Sequence, residues 1–234
     1  MKPNPDIALL LASQWFQRAK SERDAHHRFL QLCKDVTVHP TLKGLHPQLQ
    51  QAAADEFRHI SLCTKQMARF GKLELTDYAG FQCFFSNDLL SELVVLFCVM
   101  ETINAALLVA SKEHIVDPDL RKTCHEILKE EVQHARIGWA ALSLSTVEER
   151  ARVWKHLYTI FRCAGIHVLL RENPSENHFP EWGIFGREDR IHMLNQTMET
   201  VIFPGFWALG LSSSVSWLSV RENLIKNQNH MEQG

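Results

Sequence analysis

Residues 89–110 read LLSELVVLFCVMETINAALLVA, a run that is apolar on every side of a helix and long enough to cross a bilayer. Few folds accept such a segment. It either spans a membrane or forms the innermost helix of an all-helical bundle. Glu92, Glu101 and Asn104 decide for the bundle, because acids at membrane depth are costly. No membrane span is therefore expected. The same choice poses a problem, since a carboxylate in the middle of a central helix, Glu101, has to be matched by something.

The rest of the chain is punctuated as helices. Only 10 Gly and 8 Pro interrupt 234 residues, so long stretches carry neither. Helical periodicity and stop signals predict helices over 6–36, 47–70 (ending at Gly71), 87–112 and 118–144. Ser145 is expected to cap a fifth helix, with Glu148 completing a capping box. ENPSENHFPEWGIFG reads as a loop, and REDRIHMLNQTMETVIF as a sixth helix that meets Pro204 and resumes beyond it. Alternating strand-like runs are scarce, so the expected class is all-α, one domain over 1–234. Residues 1–144 would form the core and 145–234 accessory helices. A net charge of −2 without a basic tract argues against a nucleic-acid partner. Six scattered cysteines without a CxxC pair suit reduced thiols and a cytoplasmic location. The N-terminus MKPNPDIALLLASQW lacks the order of a signal peptide.

Each of the first four helices carries one acid in its apolar stripe. Glu22 recurs with Leu11, Trp15, Phe29 and Val36; Glu56 with Leu49, Ala53, Ile60, Cys63 and Met67. Glu101 sits among Leu90, Val94, Phe97, Ala105 and Leu108, and Glu131 among Cys124, Leu128, Ala135, Gly138 and Leu142. The second and fourth helices add a histidine three residues on, His59 and His134, on the same face as the acid. ADEFRHI and KEEVQHA are thus two copies of acid-Glu-x-x-His. Four carboxylates and two imidazoles in one core need cations, and two metal ions would give each an oxygen-rich set with one nitrogen. Carboxylate with imidazole suits iron or manganese, and no thiolate pattern points to structural zinc. Asp24 lies close to Glu22 and competes with it, and His26 and His27 fall a turn further on, outside the pattern.

The order Glu, Glu-x-x-His, Glu, Glu-x-x-His, here Glu22, Glu56 with His59, Glu101, and Glu131 with His134, resembles the ferritin-like dimetal-carboxylate superfamily. The resemblance covers about residues 6–144, with separations of 34, 45 and 30 residues between successive Glu positions. It implies a four-helix bundle with a central crossover and these six residues as metal ligands at a catalytic site, Glu56 and Glu131 bridging. It also implies that Asp55 supports His134 and that Glu130 supports His59. The cofactor would be two Fe ions, with Mn/Fe or Mn as variants and O2 as co-substrate. Size and added C-terminal helices are similar to aldehyde-deformylating oxygenases and other small di-iron oxygenases. The segment ETVIFPGFWALG departs from the deformylating enzymes, so their substrate is not carried over. The expected function is an O2-activating oxygenase or oxidase for a small, largely apolar molecule, a non-haem di-iron oxidoreductase. The alternative is a non-enzymatic metal-binding or storage bundle. An electron donor such as a ferredoxin and a homodimeric assembly fit the resemblance. His192 and Glu199, seven apart on helix six, are considered as extra ligands.

Overall fold

The computed structural model describes residues 2–75, 84, 85, 87–170 and 178–211, and the backbone alone for 164–170. Tyr78 and Cys83 lie outside the described residues. The protein is all-helical. Six helices are described: α1 (Pro5–Thr37), α2 (His46–Phe70), α3 (Leu89–His114), α4 (Pro118–Leu144), α5 (Val147–Leu170) and α6 (187–208). Asn4 accepts from the Ile7 N–H to cap α1, and Asp117 accepts from the N–H groups of Asp119 and Leu120 to cap α4. Pro at the first turn of each occupies a position whose N–H would be unpaired anyway.

Contacts along the helices fix their directions. His26 on α1 reaches the Ala53 carbonyl on α2 at 2.7 Å, and Ala12 near the start of α1 abuts Gly71 beyond the end of α2. Those two helices are antiparallel. On α2 and α4, Arg69 meets Asp117, Gln66 meets Thr123, and His59 meets Glu130, so residue numbers rise on one as they fall on the other. The short link 115–117 makes α3 and α4 antiparallel as well. It follows that α2 and α3 run the same way, so the end of α2 and the start of α3 lie at opposite ends of the bundle.

α3 is the innermost helix. It is the described helix with the length and composition of a membrane span, and 72% of its most apolar stretch is buried within the protein. Its middle, Val94–Glu101, is wound as a π-helix, and every residue of that stretch is buried. α4 crosses it closely: a Cβ on Gly138 would stand 2.6 Å from Cys98 Sγ and 2.7 Å from the Cys98 nitrogen. Only a glycine lets the two backbones approach that far.

Three local expectations need correction. Ser145 does not cap α5. Its hydroxyl instead donates to the Leu142 carbonyl at the end of α4, and the capping box falls one residue later, between Thr146 and Glu149. The α3 expectation of an ordinary α-helix over 87–112 gives way to a helix with a π turn. The break expected at Pro204 is absorbed, because a second π stretch, Met198–Ile202, precedes Phe203–Ala208 and relieves the clash between the Pro ring and the preceding turn. Within the expected loop, the described residues 178–186 contain a 3-10 turn at Pro180–Trp182 and a single bridge between Phe179 and Ile184.

Candidate metal centre

The four helices bring Glu22, Glu56, His59, Glu101, Glu131 and His134 to one place in the core. All six are buried, none more than 5% exposed. Glu22, Glu56, His59 and Glu131 offer four donor atoms lying within 4.8 Å of one another. Glu56, Glu101, Glu131 and His134 offer four more under the same limit. Glu56 and Glu131 belong to both sets. One oxygen of Glu56 lies 3.3 Å from His59 Nδ1 and the other 3.0 Å from His134 Nδ1. Glu131 directs Oε2 toward His134 Nδ1 at 3.5 Å and Oε1 toward the α1 side.

Both imidazoles turn Nδ1 inward and Nε2 outward. His59 Nε2 lies 2.8 Å from Glu130, and His134 Nε2 lies 3.4 Å from Asp55. A carboxylate beside Nε2 keeps the proton of a neutral ring on that nitrogen and leaves the Nδ1 lone pair facing the cluster. Glu130 is also paired with Arg58, and Asp55 accepts from Gln51.

A second buried acid on the same helix as Glu101 provides the contrast. Glu92 is 3.4 Å from the Arg28 guanidinium and accepts the Phe85 N–H at 2.8 Å, so the protein itself satisfies it. Glu56 and Glu131 are not satisfied in that way. Among the described residues, Glu56 Oε1, both oxygens of Glu131, and His134 Nδ1 are buried without an aligned hydrogen-bond partner. Glu101 receives a long 3.5 Å contact from Asn104 and faces Glu131. Orphaned buried acceptors on α2 and α4, facing the acids of α1 and α3, fit a cation, since unpaired buried charge is otherwise strongly destabilising. Neither donor set contains a cysteine, so oxygen with one imidazole per position fits iron or manganese better than structural zinc.

Proton affinities follow from the same crowding. Burial, then the neighbouring Glu22 and Glu131, pushes Glu56 up to about 7. Burial and Glu131 raise Glu101 well above the usual carboxylate range. Burial opposes the charged form of His59, but Glu22 and Glu56 outweigh it and push its pKa up to about 11. His134 is likewise raised against burial by Asp55, Glu131 and Glu56. Without a cation, then, protons on the two rings and on Glu101 neutralise the cluster. Glu22 behaves oppositely: against burial, Arg18 and His59 hold its carboxyl well below its usual value.

Arg18 escaped the sequence reading. Its Nε is 3.0 Å from Glu22 and its terminal nitrogen 3.6 Å from Glu131. A signal existed, since Arg18 precedes Glu22 by four residues on the same helix face. Other candidates fall outside the cluster. Asp24, His192 and Glu199 are exposed, His26 is bound to the α2 backbone, and His27 is only half-buried. The expectation that His192 or Glu199 adds a ligand therefore finds no geometric support, because both point away from the buried face of α6. No family model matches this chain, and neither a curated protein nor a solved structure matches it.

Proposed function

We propose that this chain is a ferritin-like four-helix bundle, with a central crossover and with α5 and α6 added at the C-terminal end, that holds a dinuclear iron or manganese-containing centre for oxygen-dependent oxidation of a small, largely apolar molecule. The observation that carries the reading is the pair of four-donor sets sharing Glu56 and Glu131, with acceptors left unpaired by the protein. The parallel course of α2 and α3 is what a bundle with one long crossover requires.

Two ferrous ions held there would supply the electrons and the open coordination positions for reduction of dioxygen. The chain's own residues prepare the place. Glu56 and Glu131 would serve both positions, Glu22 and Glu101 one each, and His59 and His134 would each supply one nitrogen. Glu130 and Asp55 fix the rings, while Phe29 packs edge-on against His134 and, with Phe97, keeps water from that side.

Space for an organic substrate lies next to the cluster. A cleft of about 600 Å3 runs between α3, α4 and α6, a size typical of small-molecule sites. Its walls include Thr102, Ala105, Leu128, Ala135, Trp139 and Met193. Ala105 stands one turn beyond Glu101, and Leu128 and Ala135 stand one turn to either side of Glu131, while none of the six clustered residues lines the cleft itself. The small side chains leave room for an apolar body. We take this cleft as the place of the organic substrate, and it is the ground for preferring oxidation to storage.

Anaerobic titration with Fe(II), followed by oxygen exposure, tests the proposal. Binding should saturate at two irons per chain, matching the two donor sets, with oxygen consumed and a transient visible absorption. Absence of iron binding would overturn the centre. Continued iron uptake far beyond two per chain would replace oxidation with storage.

A further inference from the structure

The two donor sets are chemically alike. Each contains three carboxylates and one imidazole, with Glu56 and Glu131 common to both. Any difference in metal affinity must therefore come from what surrounds them. On the side of Glu22 and His59, Arg18 lies 3.0 Å from Glu22 and 3.6 Å from Glu131, and its guanidinium remains charged at any ordinary pH. It engages one Glu22 oxygen and leaves the other, 3.8 Å from His59 Nδ1, for an ion. The outer carboxylate behind His59 is compromised in the same direction, because Glu130 is shared with the Arg58 guanidinium. On the side of Glu101 and His134 the corresponding partners are neutral: Asn104 faces Glu101, and Gln51 donates to Asp55.

We infer, resting on the dinuclear reading above, that the two metal positions are unequal and fill in order. The Glu101–His134 position takes the first ion, and the Glu22–His59 position, flanked by Arg18 and backed by Arg58, takes the second. A fixed positive charge a few ångströms from a divalent ion opposes its entry even when partly screened, so the second affinity is weaker by roughly ten-fold or more. Arg18 is thus a positioning residue that holds Glu22 ready while keeping the adjoining site weak. The consequence is a centre whose second metal is easily lost, with the intact pair present only where metal is plentiful.

The test uses the full chain, freed of metal and titrated with Mn(II) alone under anaerobic conditions, followed by paramagnetic resonance and calorimetry. With one equivalent, the wild type should show the hyperfine pattern of an isolated ion; the second equivalent should bind at least roughly ten-fold more weakly and give a spin-coupled signal. His134→Ala should abolish the tight step. His59→Ala should keep the tight step and lose the weak one. Arg18→Lys, which preserves the charge, should keep the order, whereas Arg18→Gln should narrow the gap between the steps. Filling of both positions in one step, loss of the tight step in His59→Ala, or an unchanged gap in folded Arg18→Gln would overturn the inference. Single-step binding of two ions would leave the dinuclear centre standing; no binding at all would overturn that centre and this inference with it.

Discussion

Replacing Glu56 by glutamine probes whether the cluster is held together by its acids or in spite of them. In the metal-free protein, burial and the carboxylates of Glu22 and Glu131 push Glu56 from 4.5 to about 7. A group whose folded pKa is raised contributes stability that is fully present below its unfolded pKa and is lost as pH rises through the folded one. For Glu56 the window runs from 4.5 to about 7. A displacement of that size corresponds to about 3 kcal/mol lost by about pH 8. The glutamine side chain in Glu56→Gln has the same shape without the titration. Its carbonyl can accept from the inward Nδ1 of one protonated ring, and its amide can donate to the other Nδ1 once that ring is neutral, because Glu56 lies within 3.3 Å of both. Metal-free Glu56→Gln should therefore gain on the wild type as pH rises. The relative gain between about pH 5 and about pH 8 should be about 2–3 kcal/mol, or roughly 5–10 °C in melting temperature for a chain of this size. With metal the order should reverse, because the variant lacks a ligand shared by both positions. Melting curves of both proteins at the two pH values, with and without Mn(II), supply the assay. A wild-type-to-variant difference independent of pH would refute the reasoning and make Glu56 an ordinary partner of the two histidines.

Other expectations follow from the same geometry. Metal loading should raise the melting temperature of the wild type at neutral pH, checked by calorimetry at verified occupancy; equal curves would remove the cation from the account. Loading should also release about three to four protons per chain at about pH 7, from His59, His134, Glu101 and in part Glu56, because each must deprotonate to ligate. Proton release is read from binding heats in buffers of different ionisation enthalpy, and no release would contradict it. His134→Ala should lower iron content outright, whereas Asp55→Ala should keep most of its iron at saturating metal and react about 10–100-fold more slowly with oxygen. His26→Ala, which loses only a bond to the α2 backbone, serves as the control, and a loss of iron there would reverse the histidine assignment. Gly138→Ala should lower stability by about 1–2 kcal/mol, because overpacking against Cys98 outweighs the helix propensity gained. A neutral result in chemical denaturation would deny the close approach of α4 to α3.

The positions of the six clustered residues were readable because helical periodicity is local. Glu22, Glu56, Glu101 and Glu131 each stand in phase with apolar neighbours along their own helix, and burial of those neighbours buries the acids too. His59 and His134 follow at the spacing that places them beside an acid on the same face, and the acids preceding each motif, Asp55 and Glu130, fall on the edge that meets the facing helix. The helix end at Gly71 and the helix start at Pro118 were legible for the same local reason.

What required the tertiary structure depends on which helices face one another and in what direction. The seven buried residues Val94–Met100 carry no polar marker of phase, so the π winding that leads into Glu101 left no trace in the sequence. Ser145 and Thr146 are equivalent as caps by residue type, and only the end of α4 decides that Ser145 turns back to Leu142. His192 and Glu199 share a face by spacing, but periodicity does not say whether that face looks inward; the packing of α6 turns it outward. Arg18 was recognisable as a partner of Glu22, yet its reach to Glu131 spans two helices far apart in sequence. The sequence thus determined which side chains share a stripe, because about 3.6 residues per turn is a property of one helix. Only the packing of α1 against α2, α3 and α4 decided which stripes meet, and hence where the charges stand unequal.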